Sequence, residues 1–374
     1  MGPLKGLRII EIAGIGPGPF AGMLLADMGA EVIRIERPTG PTFPLDAKLD
    51  FMNRGKRCIS LNLKHPQGID AALKLCESAD GLIEGFRPGV TEKLGIGPED
   101  ATAINERLVY GRMTGWGQQG PWAREAGHDI NYIAISGALY SIGEKGGKPI
   151  LPLTLVGDFG GGGMLLAYGM VCALLEAKTS GKGQVVDASI LDGSTTLMAT
   201  FFSTLQTGFW QEQRGSNILD GGAPFYDTYE CADGEYIAIG AIEPQFYSAM
   251  LSGLGLSEEA LPHQMDQKYW PEMKAKIAAA VATRSRDEWA EQFSGKEACV
   301  TPVLKMSEVA EHQHVRERGV LLDIDGVQQP APAPRFSRTQ PDVPHQAHVL
   351  GADNHDILSS LGLDPEAMKQ AGAT

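Results

Sequence analysis

Leu7-Arg8-Ile9-Ile10-Glu11-Ile12, then Pro19-Phe20-Ala21-Gly22-Met23-Leu24-Leu25-Ala26-Asp27-Met28, then Glu31-Val32-Ile33-Arg34-Ile35-Glu36 follow one another with only short turns between them. The first run predicts a buried strand, the second a helix and the third another strand. The pattern continues outward. Ile69 to Cys76 has helical spacing shortly after Pro66, a good helix-start residue. Gly81 to Phe86 and Leu108 to Met113 predict further strands, Met164 to Ala177 a strongly apolar helix, and Gln184 to Ile190 another strand. Strand–helix alternation of this kind predicts an α/β fold, a parallel sheet covered by helices.

The character changes around Gly215 to Pro224. Tyr229 to Ile239 predicts a hairpin with Asp233-Gly234 at its turn. Helical segments follow to about Arg318. Gln328 to Pro344 is proline-rich and predicts an extended connector, and His355 to Leu361 a helix packing back on the first domain. The expected organisation is a large domain over 1–200, completed by the C-terminal segment 330–374. A linker over 201–221, a small α+β domain over 222–318 and a proline-rich linker over 319–345 complete it.

Composition narrows the function. The chain has 374 residues, 43% hydrophobic and 21% charged, as expected of a protein with a sizeable core. A net charge of -14 argues against a nucleic-acid partner, which needs a basic face. Five scattered cysteines without a C-x-x-C predict small buried hydrophobes in a reducing compartment, hence a cytoplasmic location. The N-terminus lacks the pattern of a signal peptide. The longest apolar run, Met164 to Leu175, is short for a membrane span and predicts a core helix, so no membrane partner is expected.

Gly16-Pro17-Gly18-Pro19-Phe20-Ala21 fits a dinucleotide fingerprint, with Glu36 near the position of a ribose-binding acid. That would suit an NAD-dependent oxidoreductase. Pro17 and Pro19 each delete an N–H from the loop that should cradle a pyrophosphate, so the expectation is a turn without nucleotide. His312 and His314 have no third ligand nearby, and no metal site is expected.

Two motifs carry chemistry. Gly127-His128-Asp129-Ile130-Asn131-Tyr132 and Gly157-Asp158-Phe159-Gly160-Gly161-Gly162-Gly163 place a histidine and a carboxylate on loops that open apolar helices. Helix N-termini present unpaired N–H groups. An imidazole and a carboxylate beside such donors suit removal and return of a proton next to a carbonyl.

Several long stretches resemble the family III CoA-transferases, the CaiB/BaiF-like group. They are Pro19 to Pro38, Asn53-Arg54-Gly55-Lys56-Arg57, Leu61-Asn62-Leu63-Lys64 and Gly85-Phe86-Arg87-Pro88-Gly89-Val90. Arg112 to Gln118, Gly127 to Tyr132, Gly222 to Tyr229 and Gly240 to Phe246 resemble the α-methylacyl-CoA racemase branch of that family. The resemblance implies a Rossmann-like large domain and a small domain, in an interlocked homodimer with the active site between the large domain of one subunit and the small domain of the other. It implies an isomerase of lipid and fatty acid metabolism. The substrate would be a 2-methylacyl-CoA thioester, racemised by 1,1-proton transfer through an enolate without metal or redox cofactor.

The resemblance also assigns residues. His128 is one base, oriented by Glu84. Asp158 is the other, sharing a proton with Glu243, and its backbone N–H is the candidate donor to the enolate oxygen. Arg37, Lys64, Arg87 and Lys93 match positions that contact CoA, with Leu61, Asn62, Leu63 and Lys64 at the adenine end. Gly85, Phe86, Gly127, Asp129, Ile130, Asn131 and Tyr132 complete the substrate contacts, while Arg54, Lys56 and Arg57 match less closely. The rival is a transferase in which the Asp129 position forms an acyl anhydride and then carries CoA. His128 directly before it, with Glu243, favours the racemase and leaves Asp129 as a helix N-cap or pocket residue.

Overall fold

The computed structural model describes residues 2–256 and 261–374. They form two compact units: Met1–Ser136, Leu153–Met198 and Arg318–Thr374 in the first, Gly137–Pro152 and Ala199–Glu317 in the second.

The first unit is built on six strands: β1 (Arg8–Ile12), β2 (Glu31–Glu36), β3 (Lys56–Ser60), β4 (Gly81–Glu84), β5 (Val109–Thr114) and β6 (Val185–Ser189). All are parallel, in the order β3-β2-β1-β4-β5-β6. Both faces are covered. Ile10, Ile33, Ile59, Leu82 and Tyr110 pack with the Pro66–Glu77 helix and with Leu358 and Met368. Ile9, Val32, Ile83 and Val109 pack with Leu25, Leu166 and Met170. Burial on both faces is why β1, β2, β4 and β5 read as largely apolar runs. The strand order reverses between β1 and β4, and beyond the carboxyl ends of such strands a doubly wound sheet binds its ligands.

β3 escaped the sequence reading because it opens Lys56-Arg57. Lys56 is nonetheless buried. Its Nζ donates to Glu11 Oε2 at 2.7 Å, to the Pro19 carbonyl at 2.9 Å and to Asn53 Oδ1 at 3.1 Å. The free edge of β3 is closed by the C-terminal segment: Asp353 accepts the Cys58 N–H and Asn354 the Ser60 N–H, each at 2.7 Å. Side chains thus take the place of a seventh strand.

The second unit has its own antiparallel sheet, β7 (Tyr226–Glu230), β8 (Tyr236–Gly240) and β9 (Val300–Pro302). The Asp233-Gly234 turn lies where expected, with Gly234 at φ 78°. Phe225, Ile237, Met250, Trp270, Ile277 and Trp289 form its core.

Three stretches differ from expectation. Gly137–Pro152 belongs to the second unit although it lies within 1–200; Arg214 ties it there through the Tyr140 and Gly147 carbonyls. Ala199–Gln206 is a helix at the start of the expected linker 201–221. The linker expected over 319–345 begins with a hairpin, β10 (Leu321–Ile324) and β11 (Val327–Pro330). Its turn residues Asp325 and Gly326 have φ of 51° and 83°. Two positive φ values suit a primed hairpin turn, a signal hidden by the prolines that follow.

The Leu155–Met164 helix, π in type, continues into the α-helix Leu165–Ser180. The whole is longer than the apolar run suggested and, by length and composition, could cross a bilayer. Leu166, Met170 and Leu174 turn inward to the sheet, whereas Met164, Tyr168 and Leu175 are exposed.

Candidate active site

The loops after β1 and β5 meet the His128 and Asp158 segments. After β1, Gly16 adopts φ 72°, and a Cβ there would stand 2.9 Å from Asp158 Oδ2. The nucleotide-like glycine therefore gives way to a carboxylate, and only glycine fits both the backbone and the space. Pro17 starts the Pro17–Asp27 helix, a position where its missing N–H costs nothing. After β5, Gly115 leaves room for the Tyr132 ring.

His128 is the N-cap of the Asp129–Ile135 helix, and its backbone N–H donates to Asn131 Oδ1 at 3.0 Å. Its side chain is exposed. Asp129 is therefore the first helical residue and not the cap expected of it. It is 7% exposed, and its Oδ1 accepts the backbone N–H of Asp158 at 3.0 Å. Burial raises the Asp129 pKa, while the N–H groups of Asp158 and Gly157 oppose the rise.

Asp158 lies in the first turn of the Leu155–Met164 helix. Its carboxyl pKa is pushed up to about 6, first by burial and then by the Asp129 carboxylate, with His128 pulling the other way. The structure thus brings His128, Asp129 and Asp158 together, and Asp129 is a like-charge neighbour of Asp158 within this unit. The Asp158 N–H, the expected enolate donor, is already occupied by Asp129. The N–H groups of Asp129 and Ile130 open the other helix and have no acceptor among the described residues.

Glu84 does not pair with His128 here. It is fully buried; Oε1 accepts from Arg112 Nε at 3.1 Å and Oε2 from the Phe86 N–H at 2.6 Å. Burial pushes its pKa up to about 7 against the pull of the Phe86 N–H and Arg112. Arg112 also binds Glu92 at 2.7 Å, so Glu84 anchors the end of β4 to β5. The sequence reading missed this role, as well as an aromatic cluster. Trp116 stacks edge-on with Tyr132 and Trp122 at 4.7 and 5.0 Å. The Tyr132 hydroxyl donates to the Gly127 carbonyl, just before His128.

The CoA candidates follow the carboxyl ends of β2 and β3, on one side of the switch point, and of β4, on the other. Arg37, Lys64, Gly85, Arg87 and Lys93 are exposed, and Leu63 and Phe86 partly so. Arg37 Nε and Nη2 hold the Gly40 carbonyl and Thr42 Oγ1 at 2.6 and 2.8 Å. Ile130 and Asn131 are exposed, Asn131 already capping His128, and Gly127 is half-buried. Asn62 is tied to the C-terminus: its N–H reaches the Ala373 carbonyl and its Nδ2 the Gly372 carbonyl. Leu61 is 1% exposed and packs in the core, so its side chain cannot line a ligand. Arg54 is paired with Asp27 at 2.6 Å in the interior. Arg57 bridges Glu31 and Asp353. Both, like Lys56, are spent on structure.

Glu243 belongs to the second unit, where it is exposed as N-cap of the Pro244–Gly253 helix. Among the described residues, no group of three or more His, Cys, Asp or Glu side chains could hold a metal ion.

The comparisons with known proteins agree with this architecture. The sequence profile of CoA-transferase family III matches residues 4–354. Alpha-methylacyl-CoA racemase of Mus musculus is 48% identical over 370 residues, 98% of this chain and 95% of that protein. The Homo sapiens protein of the same name is 44% identical over the same shares of both chains. A solved CAIB/BAIF family protein from Brucella suis superposes with a TM-score of 0.84 over 96% of this chain and 99% of that one, at 24% identity, which speaks to the fold.

Proposed function

The chain belongs to CoA-transferase family III, and from that premise we propose that it is an α-methylacyl-CoA racemase. It interconverts (R)- and (S)-2-methylacyl-CoA thioesters. A base removes the C2 proton, the C–H electron pair moves into the thioester as an enolate, and an acid on the opposite face returns a proton to C2. The observation that carries this reading is that His128 and Asp158 stand at the starts of two helices joined by the Asp129 carboxylate, with burial pushing the Asp158 carboxyl up to about 6. A carboxyl titrating near neutrality can act as acid or base, and with an imidazole as its counterpart it supplies the two groups that racemisation in both directions requires. Proton transfer between two side chains needs neither a metal nor a redox cofactor.

His128 serves one face of C2 and Asp158 the other. The enolate oxygen is served by the free N–H groups that open the Asp129–Ile135 helix, since the Asp158 N–H is taken. The exposed basic residues Arg37, Lys64, Arg87 and Lys93 meet the phosphates of CoA. The protein works as a homodimer in which Glu243 of one subunit joins Asp158 of the other. The exposed apolar side chains Leu153, Leu155, Tyr168 and Leu175 of the first unit favour a covered face. We place the enzyme in the cytoplasm, where its five unpaired cysteines stay reduced.

The test is His128→Ala. Racemisation should vanish while exchange of the C2 proton with solvent persists slowly at the Asp158 face. Wild-type racemisation by this variant would refute the assignment.

A further inference from the structure

A helix of π type leaves its first N–H groups without internal acceptors. In the Leu155–Met164 helix the first internal bond runs from the Phe159 N–H to the Thr154 carbonyl at 3.1 Å. The Asp158 N–H falls just short of that ladder and must find a partner elsewhere. It finds Asp129 Oδ1 at 3.0 Å, from a different helix. Asp129 is 7% exposed, and Gly157 is held so close to it that a Cβ at 157 would stand 2.6 Å from Asp129 Cγ. One carboxylate thus bridges the N-terminal turns of the helices that carry His128 and Asp158.

We infer that Asp129 is a positioning residue for the racemase reaction, a cross-helix cap that fixes Asp158 relative to His128 and does not itself react. This rests on the racemase reading above. It explains how an aspartate at the nucleophile position of the transferase branch serves a different chemistry. A nucleophilic carboxylate needs a free oxygen and access to the thioester carbonyl. This one is buried, with an oxygen committed to the Asp158 backbone. The clamp has an electrostatic side as well. The groups facing Asp158 are the Asp129 carboxylate, which favours its protonated form, and His128, which favours its ionised form. Tyr132, itself buried, lies within electrostatic reach of Asp158 and of Arg87. Asp129 therefore favours the protonated form of Asp158, and its charge helps set the pH range over which Asp158 ionises.

The experiment compares Asp129→Asn and Asp129→Ala with wild type on a single enantiomer of a 2-methylacyl-CoA. Asparagine keeps an oxygen to accept the Asp158 N–H but loses the charge. It should keep racemase activity, and the bell of kcat/KM against pH should move to lower pH for both enantiomers alike. Alanine loses the clamp. Its kcat should drop by about 10²-fold, the order seen for small misplacements of catalytic groups, with KM little changed. In parallel, hydrogen exchange at the Asp158 amide should stay slow in Asp129→Asn and become fast in Asp129→Ala, a readout that needs no turnover. Hydroxylamine should trap no acyl group at Asp129. Full activity in Asp129→Ala, equal inactivity of both variants with the Asp158 amide still protected in Asp129→Asn, or a trapped acyl group would each overturn the inference. If Asp129→Ala fails to fold, the pH shift and amide protection in Asp129→Asn decide: an unmoved bell or an unprotected amide overturns it. Wild type that does not racemise would instead sink the functional reading, while the amide exchange still tests the clamp.

Discussion

Gly157→Ala should damage catalysis while sparing the fold. Gly157 is buried and does not adopt a positive φ, so alanine suits its backbone. Within a helix, alanine is favoured over glycine by about 1 kcal/mol. The cost is local. The new Cβ would stand 2.6 Å from Asp129 Cγ and 2.9 Å from Oδ2, with Oδ1 nearer still. Non-bonded carbons settle at about 3.5–4.0 Å, so the carboxylate must retreat by roughly 1 Å. That retreat breaks the 3.0 Å bond to the Asp158 N–H. A displacement of this size, passed on to Asp158 through the lost clamp, costs about 10²-fold in rate. The assay is racemisation of each enantiomer with kcat and KM separated, alongside thermal unfolding. The expected result is kcat down by about 10²-fold in both directions, KM within about 3-fold, and cooperative unfolding near the wild-type temperature. A wild-type kcat would show that catalysis does not depend on the Asp129–Asp158 geometry. A large loss of melting temperature would show that the clash is not local.

Other outcomes follow from the same geometry. Arg37→Ala should raise KM for acyl-CoA more than it lowers kcat, because a phosphate contact acts alike in ground and transition states; a collapsed kcat at unchanged KM would contradict the role. Lys56→Met leaves Glu11 buried and unpaired and should cost about 3–5 kcal/mol in denaturant unfolding. Replacing Glu11 by an apolar residue in the same chain should recover part of that loss. Sedimentation at assay concentrations should give a dimer, and a fully active monomer would refute the two-subunit site.

The sheet was legible because β1, β2, β4 and β5 are buried on both faces and write their burial as apolar runs, while the half-exposed edge strand β6 still opens on Val185-Val186. β3 was not, because its Lys56 is neutralised by Glu11, a residue 45 positions away that no local pattern reveals. The hairpin over 321–330 was masked by proline composition, although Asp325-Gly326 carried its signal. Within the site, the sequence motifs placed His128 and Asp158 at helix starts, and the structure brings them near each other. What the sequence could not show is which hydrogen bonds form between segments. The Asp158 N–H is taken by Asp129 and both Glu84 oxygens by Phe86 and Arg112, so two expected partners are already committed. Leu61 shows the same limit: its motif pointed to a ligand, yet its side chain fills the core.

The central claim is racemisation by proton exchange at C2. Its most direct measurement gives the enzyme one enantiomer of a 2-methylacyl-CoA in D₂O, with no carboxylic acid acceptor, and follows configuration and deuterium together. The account predicts loss of optical purity with a single solvent deuterium entering at C2. An unchanged substrate that reacts only when an acceptor acid is added, passing on its CoA in a reaction lost with Asp129, would contradict it.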